Sequence, residues 1–522
     1  MELVRRTIRM TRQKGKAVSQ MTLDDDYNIP ETMPDVSMIV QEKGDLEIGE
    51  VRVENGRALI RGNLRFYVLY LDDSDEGGLH SVKGQIPFEE NMNVEGVKDG
   101  DSLKLNGILE DLFAVLINSR KMGIKAVGTL ELTVEELAEE ALTTALDGGE
   151  QAEIRTEHRT AAALTVQKKD TCRIKDEIIL PANKPNIREL TWQDVTLRGM
   201  ELRPGEDEIL IKGELGVFVL YESEETEQKT GWLEQSVPFN SHIDVHGSRE
   251  GIAASLGAML AGAELEVKPD YDGELRVLHV DAVLNLDIRM YEEEGIDLVA
   301  DVYSLKKELI PEKAETDYER LLINSTSRCR VSGRMATEQT DMQILQICHS
   351  SGEVKLDECT AVEQGLRVEG AVQVEVLYIT SDDSHPILCR KEAIPFEQLI
   401  EVPGMTKDSV WYLDAILDQL AVDMVSGTEM DVKGVVLLQI LVLAKERAEH
   451  VVSVTEQPLD LAALKALPAF VLYAVQPGDT LWEIAKGCRS TGERICEING
   501  CAPEEIRPGK KLILIKEVQR WG

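Results

Sequence analysis

Gly62-Asn63-Leu64-Arg65-Phe66-Tyr67-Val68-Leu69-Tyr70 decides the fold of this chain, because the stretch alternates in polarity and returns in two further copies. Leu64, Phe66, Val68 and Tyr70 fall on one face of an extended strand and Asn63 and Arg65 on the other, the period-two signature of a half-buried β-strand. The matching strands carry Leu215, Val217, Val219 and Tyr221 with Glu214 opposite, and Val372, Val374, Val376 and Tyr378 with Gln373 and Glu375 opposite. Each strand opens a longer motif: Gly, five residues, Val-Leu-Tyr, fifteen residues, Ile or Val, Pro-Phe, five residues, Val, one residue, Gly. The motif spans Gly62–Gly96, Gly213–Gly247 and Gly370–Gly404 without insertion or deletion. Upstream of the first copy, Asn55-Gly56 between two alternating runs predicts a tight hairpin.

Working outward, Ile124–Leu132 and Val432–Ile440 predict another core strand near the end of a repeat, and Leu3, Val4, Ile8 and Met10 alternate as a first strand. The expected fold is mainly β: three tandem antiparallel, sandwich-like repeats at 1–140, 166–310 and 326–456, read as separate beads each large enough for its own core. Linkers are expected at 141–165, 311–325 and 457–470. Thr133–Leu142 is rich in Glu and reads as a short acidic helix, and Leu459, Leu461, Leu464 and Leu467 are spaced for another.

The tail, 471–516, follows a different pattern. Tyr473–Val475 reads as a strand that turns at Pro477-Gly478 into Thr480, whose hydroxyl can cap a helix while Glu483 closes a capping box. A second helix is expected from about Thr491 to Asn499-Gly500, and a last strand after Pro508-Gly509. Strand, helix, helix, strand with these residues at these places resembles the LysM module, a small α+β (βααβ) domain. That resemblance implies a ligand groove between two loops, Gly478, Asp479, Thr480 and Leu481 on one side and Ile506, Arg507, Pro508 and Gly509 on the other. Trp482, inside the first helical turn, reads either as a contact or as core.

Composition narrows the function. The formal charge is −38, which disfavours nucleic acid and anionic membrane as partners. The charge lies in the body: 471–522 holds eight Lys and Arg against seven Asp and Glu, leaving 49 against 88 elsewhere. The basic residues Arg5, Arg6, Arg9, Arg12, Lys14 and Lys16 are not followed by an apolar run, so no secretory signal is expected, and no stretch of eighteen apolar residues predicts a membrane span. Cys488, Cys496 and Cys501 cluster without a nearby His and read as reduced thiols rather than a zinc site. His242 and His246, two of the residues in a His-x-Asp-x-His-like strand, have no counterparts in the other copies and read as a solvated edge. No phosphate loop, nucleophile elbow or zincin motif occurs, so no catalysis, cofactor or metal is expected.

Three copies of Gly-x5-Val-Leu-Tyr with Pro-Phe, the opening Leu23-Asp24-Asp25-Asp26 and the terminal LysM resemble the SipL family of clostridial spore-coat proteins, whose repeats are SPOCS domains. The resemblance implies a non-enzymatic adaptor in the mother-cell cytoplasm at the forespore surface. It further implies binding to the coat-scaffold ATPase, stage IV sporulation protein A, through the LysM module. The alternative is a peptidoglycan- or cortex-glycan-binding protein. The third copy departs from the pattern: Asp341-Met342-Gln343 stands where the first has Met33-Pro34-Asp35.

Overall fold

A computed structural model describes residues 2–515 apart from 55, 75–77, 95, 99–100, 149–151, 225–229, 338–342, 383, 461 and 463–467. The first copy contains β1 (Glu2–Asn28), β2 (Val36–Glu54), β3 (Arg57–Asp72), β4 (Leu79–Asn93), β5 (Ser102–Asn118) and β6 (Lys121–Asp147). The second contains β7 (Ala152–Ile179), β8 (Ile187–Pro204), β9 (Glu208–Ser223), β10 (Thr230–Asp244), β11 (Ala253–Pro269) and β12 (Leu275–Ser304). The third contains β13 (Glu308–Ala336), β14 (Ile344–Val362), β15 (Gly365–Thr380), β16 (Ile387–Glu401), β17 (Val410–Met424) and β18 (Glu429–Gln457). Each copy folds into two three-stranded antiparallel sheets, in the first copy β2-β3-β4 and β1-β6-β5, with the same order repeated in the others. Apolar side chains of the two sheets meet between them: Leu64, Phe66, Val68 and Tyr70 share a core with Met122, Ile124 and Ala126.

The repeated motif has a physical explanation in this sandwich. Its first Gly lies directly opposite the Phe of Pro-Phe in the ladder, as Gly62 with Phe88, Gly213 with Phe239 and Gly370 with Phe396. A Cβ on Gly62 would come within 2.6 Å of Phe88 Cζ and 2.4 Å of the Glu47 carbonyl oxygen. The absent side chain thus lets the aromatic ring cover the strand backbone. The motif tyrosine holds the turn before the repeat: the Tyr70 hydroxyl donates to the Pro34 carbonyl and the Tyr221 hydroxyl to the Pro185 carbonyl, both at 3.3 Å. Arg120 grips the same turn through Ile29, Pro30 and Met33 carbonyls and Asp35, and Arg276 does so in the second copy through Pro181, Lys184 and Asn186. The third copy has Thr428 where the first has Arg120, so it lacks the clasp as well as the turn sequence.

The copies are not separate beads. The motif strand is buried on both faces at its end: Leu69, Leu220 and Leu377 are at most 2% exposed and meet in one cluster with Leu71, Trp192, Phe218, Cys348 and Ile387. The half-buried expectation therefore holds for the start of the strand and fails at Val-Leu-Tyr, whose leucine faces the neighbouring copies. The contacts run around a pseudo-threefold axis. Gln41, Trp192 and His349 occupy one equivalent position, and Tyr67, Phe218 and Glu375 another. Gln41 donates to Glu375 at 2.6 Å, and His349 stacks on Phe218 with centroids 4.1 Å apart. Trp192 shares the buried cluster with Tyr67. Each copy thus reaches its neighbour, and the ring closes. Lys43 and Asp194, themselves equivalent, pair near the axis, where the buried Asp194 also meets His349 at 3.0 Å. Further along, Arg289 of the second copy binds Glu135 of the first at 2.8 and 3.1 Å and lies over Tyr412 of the third.

Three of the strands outrun their sandwiches. β6 pairs with β5 only as far as Glu135 but with β1 as far as Asp147, leaving a two-stranded ribbon, and β12 with β7 and β18 with β13 do the same. The ribbons pack together through Ile8, Met10, Ala138 and Leu142, then Ala161, Ile296 and Leu298, then Tyr318 and Ala448. Thr133–Leu142 is accordingly strand rather than the acidic helix the sequence suggested, because Val134 packs into the first copy's own core while Ala138 and Leu142 find apolar partners on the other ribbons. Residues 152–165 and 311–325, read as linker, likewise lie inside β7 and β13. The helix expected from Leu459 to Leu467 falls largely outside the described residues.

Candidate functional site

The tail folds as β19 (Phe470–Ala474), α1 (Leu481–Cys488), α2 (Gly492–Asn499), a 3-10 turn (Pro503–Glu505) and β20 (Lys511–Ile515), with β19 and β20 antiparallel. Local chemistry sets each boundary. The Thr480 side chain accepts from the Glu483 N–H while the Glu483 carboxylate accepts from the Thr480 N–H, the expected capping box. The Thr491 hydroxyl accepts from the Arg494 N–H to cap α2, and Gly500 ends it in the left-handed conformation at φ 57°. Ile484, Ala485, Ile495, Leu512 and Leu514 form the small core.

The two loops expected to form the groove are joined at their bases. The Val475 N–H donates to the Lys510 carbonyl at 2.9 Å, and the Gly509 N–H donates to the Val475 carbonyl at 2.8 Å. Gly478 and Gly509 have φ of +95° and +87°, and a Cβ at either would meet nothing within 4 Å, so glycine serves the turn conformation there rather than close packing. Asp479 is committed to the loop: its carboxylate accepts from the Tyr473 hydroxyl at 2.6 Å and from the Gln476 N–H at 2.8 Å, and these bonds hold its pKa below the usual carboxylate range. Gly478, Thr480, Arg507, Pro508 and Gly509 are exposed, while Leu481 and Ile506 are half-buried against the core.

Trp482 is separated from that loop pair in role. Its indole Nε1–H donates to Asp301 Oδ2 at 2.7 Å, its ring meets Tyr303 edge-on at 4.9 Å, and Arg155 lies over it at 5.9 Å. Asp301 also accepts twice from Lys486 Nζ, at 2.8 Å each. Burial opposes ionisation of Asp301, but the bonds from Lys486 and Trp482 outweigh it and keep the carboxyl pKa low. The Tyr303 hydroxyl donates to the Ser490 carbonyl at 2.8 Å, and Arg489 reaches the Ser304 carbonyl and Glu308. The inner side of α1 is thereby latched to the ends of β12 and β13. Beside this latch lies a cleft of about 900 Å³ lined by Trp482, Leu481, Tyr303, Arg155, Cys496 and Pro503.

Asp301, Tyr303 and Glu308 could not be found from sequence, because they sit in alternating strands far along the chain with no motif around them. Cys496 and Cys501 are neighbours, and burial followed by the adjoining thiol raises the pKa of Cys496. Among the described residues no group of three or more metal-ligating side chains converges. His242 and His246 are exposed, and His246 pairs with Asp207 at 3.1 Å.

Comparison with known protein families finds the SipL, SPOCS domain three times, over residues 35–117, 186–268 and 343–425, and the LysM domain over 473–514. Each SPOCS match covers the strands from β2 to β5 or their equivalents and stops short of the long outer pair that completes the sandwich. No curated protein and no solved structure matches the chain.

Proposed function

From a chain that carries three SipL SPOCS domains and a terminal LysM domain, and is on that ground sporulation-related with a possible glycan-binding module, we propose a non-enzymatic morphogenetic adaptor of the spore coat. In this reading the LysM domain docks the coat-scaffold ATPase, stage IV sporulation protein A, and the acidic ring helps attach coat to the forespore surface from the mother-cell cytoplasm. The observation that carries it is the division of labour in the tail. One side of α1 is fixed to the ring by Asp301 and Glu308, while Gly478, Thr480 and Arg507–Gly509 stay open to solvent. A rigidly held, outward-facing loop pair suits an adaptor, since the orientation cost is met before the partner arrives. Purified full-length chain and a chain lacking 471–522 are compared for capture of the scaffold protein. Undiminished capture by the shortened chain would falsify docking through the tail.

The LysM module itself favours a second reading, in which the same backbone-rich loops hold the N-acetyl groups of a glycan. Titration with peptidoglycan fragments or chitin oligomers separates the two. Saturable glycan binding that competes with the scaffold protein assigns both to one groove.

A further inference from the structure

β5 is an edge strand, since it pairs with β6 on one side and with no strand on the other among the described residues. Its outward face carries Phe113, Val115 and Ile117, exposed by 55%, 52% and 53%. Three large apolar side chains in alternate positions on an open edge form the arrangement that soluble proteins ordinarily blunt with charge. The two other copies do blunt it. The equivalent residues are Glu264, Glu266 and Lys268 in the second copy and Ala421, Asp423 and Val425 in the third. Because the copies share one framework, the stripe is no requirement of the fold. It is a property of the first copy's surface.

The same edge is engaged immediately before the stripe. Lys355 of the third copy donates to the Leu109 and Glu110 carbonyls at 2.7 and 2.8 Å, which occupies the edge just before the stripe. The pairing surface beyond that contact is short, running from Asp111 to Ile117. Charge around it is locally balanced: Asp24 pairs with Lys125 at 3.3 Å and Asp26 with Lys121 at 2.5 Å on the adjoining strands.

We propose that this edge pairs with the same edge of a second copy of the chain, antiparallel about a twofold axis at Val115, to make one six-stranded sheet across a homodimer. The sequence is self-complementary in that arrangement. Val115 meets Val115 of the second copy, and Phe113 meets Ile117 of the second copy, so each apolar side chain gains an apolar cross-strand partner. The acidic residues before the stripe, Glu110 and Asp111, are set at opposite ends of the pair in this arrangement. A parallel arrangement would bring acid onto acid. Strand addition also satisfies the outward backbone groups of β5 that water otherwise holds. In a chain of formal charge −38, a short neutral edge is the place where two copies approach with least repulsion.

Sedimentation equilibrium of the full chain tests this. The expected result is a concentration-dependent dimer that Val115→Lys weakens by about a hundredfold or more, with an unchanged thermal unfolding profile because the side chain is already half in water. Glu266→Lys, at the same position of the second copy, leaves the dimer intact. Under mild oxidation Val115→Cys gives a covalent dimer and Phe113→Cys does not, because only residue 115 meets itself; the wild-type chain controls for the native thiols. This second variant decides the matter even if Val115→Lys folds poorly. A wild-type chain that stays monomeric at on the order of 100 µM, a dimer indifferent to Val115→Lys, or equal cross-linking from residues 113 and 115 overturns the proposal.

Discussion

Replacing Asp301 with Ala should release the tail from the ring without unfolding either. Asp301 is 7% exposed and accepts four hydrogen bonds, one from the Val302 N–H beside it and three that cross to the tail, one from Trp482 and two from Lys486. A hydrogen bond to a charged group contributes about 1.5–3 kcal/mol when both partners are buried. The Lys486 side chain is 37% exposed, so water takes over much of its role and its share falls to about 1 kcal/mol. The indole N–H has no such recourse, and losing its acceptor costs about 1–2 kcal/mol. The sum, about 2–3 kcal/mol, lowers the ratio of docked to undocked tail by roughly 30- to 150-fold. Asp301→Asn should lose about half as much free energy, since an amide oxygen still accepts from Trp482. Backbone hydrogen exchange of residues 481–489 and 301–304, followed by mass spectrometry, reports the opening. Acid should mimic the substitution. The folded pKa of Asp301 is lowered, so its contribution is present above about pH 3.9 and is lost as pH falls further. Unchanged exchange in both segments of the Ala variant at neutral pH would show that Tyr303 and Arg489 hold the tail alone.

Two other outcomes are expected. Gly213→Ala places a Cβ 2.7 Å from Met200 Sδ and 2.9 Å from Phe239 Cζ; the ring must leave the strand, and urea midpoints should drop by an amount equivalent to about 1–3 kcal/mol, whereas an unchanged midpoint would mean that the glycine serves something other than the aromatic cover. Glu319 is 3% exposed, with one carboxylate oxygen lacking a hydrogen-bond partner, and burial, reinforced by Glu135, pushes its pKa up to about 7. Because that value exceeds the unfolded one, about 4.3, its favourable contribution is complete below about pH 4 and is lost as pH rises through 7; Glu319→Gln should remove this loss and raise the urea midpoint at pH 8 but not at pH 4, and equal midpoints at pH 8 would refute it.

The strands and the LysM-like tail were legible because their signals are local. A period of two, an Asn-Gly turn and a Thr-x-x-Glu cap depend on residues within a few positions of each other, and β3, the β2–β3 hairpin and α1 appear where those signals stand. The ring was not legible, since the leucines of Val-Leu-Tyr look like residues on a half-solvated face until the other two copies cover them. Thr133–Leu142 misled for a related reason. Its glutamates favour a helix in isolation, and the stretch becomes strand only because β1 and the other ribbons accept its alternate apolar residues. At the candidate site, the turns at Pro477-Gly478 and Pro508-Gly509 and the place of Trp482 in the first turn of α1 were legible. Its partner was out of reach, because Asp301 is far along the chain and is joined to it only by the fold.

The differences among the three seams around the axis carry a consequence for assembly. A homotrimer must use one residue at all three equivalent positions, whereas a single chain can give each junction its own lock: Gln41 on Glu375, Trp192 beside Tyr67, His349 on Phe218. Tandem repeats risk exchanging copies between neighbouring chains as they fold. Here a repeat seated at the wrong position or a reversed cyclic order would set His349 against Tyr67 or Gln41 against Phe218, pairs that cannot make the same contacts. The seams act as addresses that admit one order of closure, and removing one repeat would yield an open fragment with two mismatched ends rather than a shorter working version of the protein.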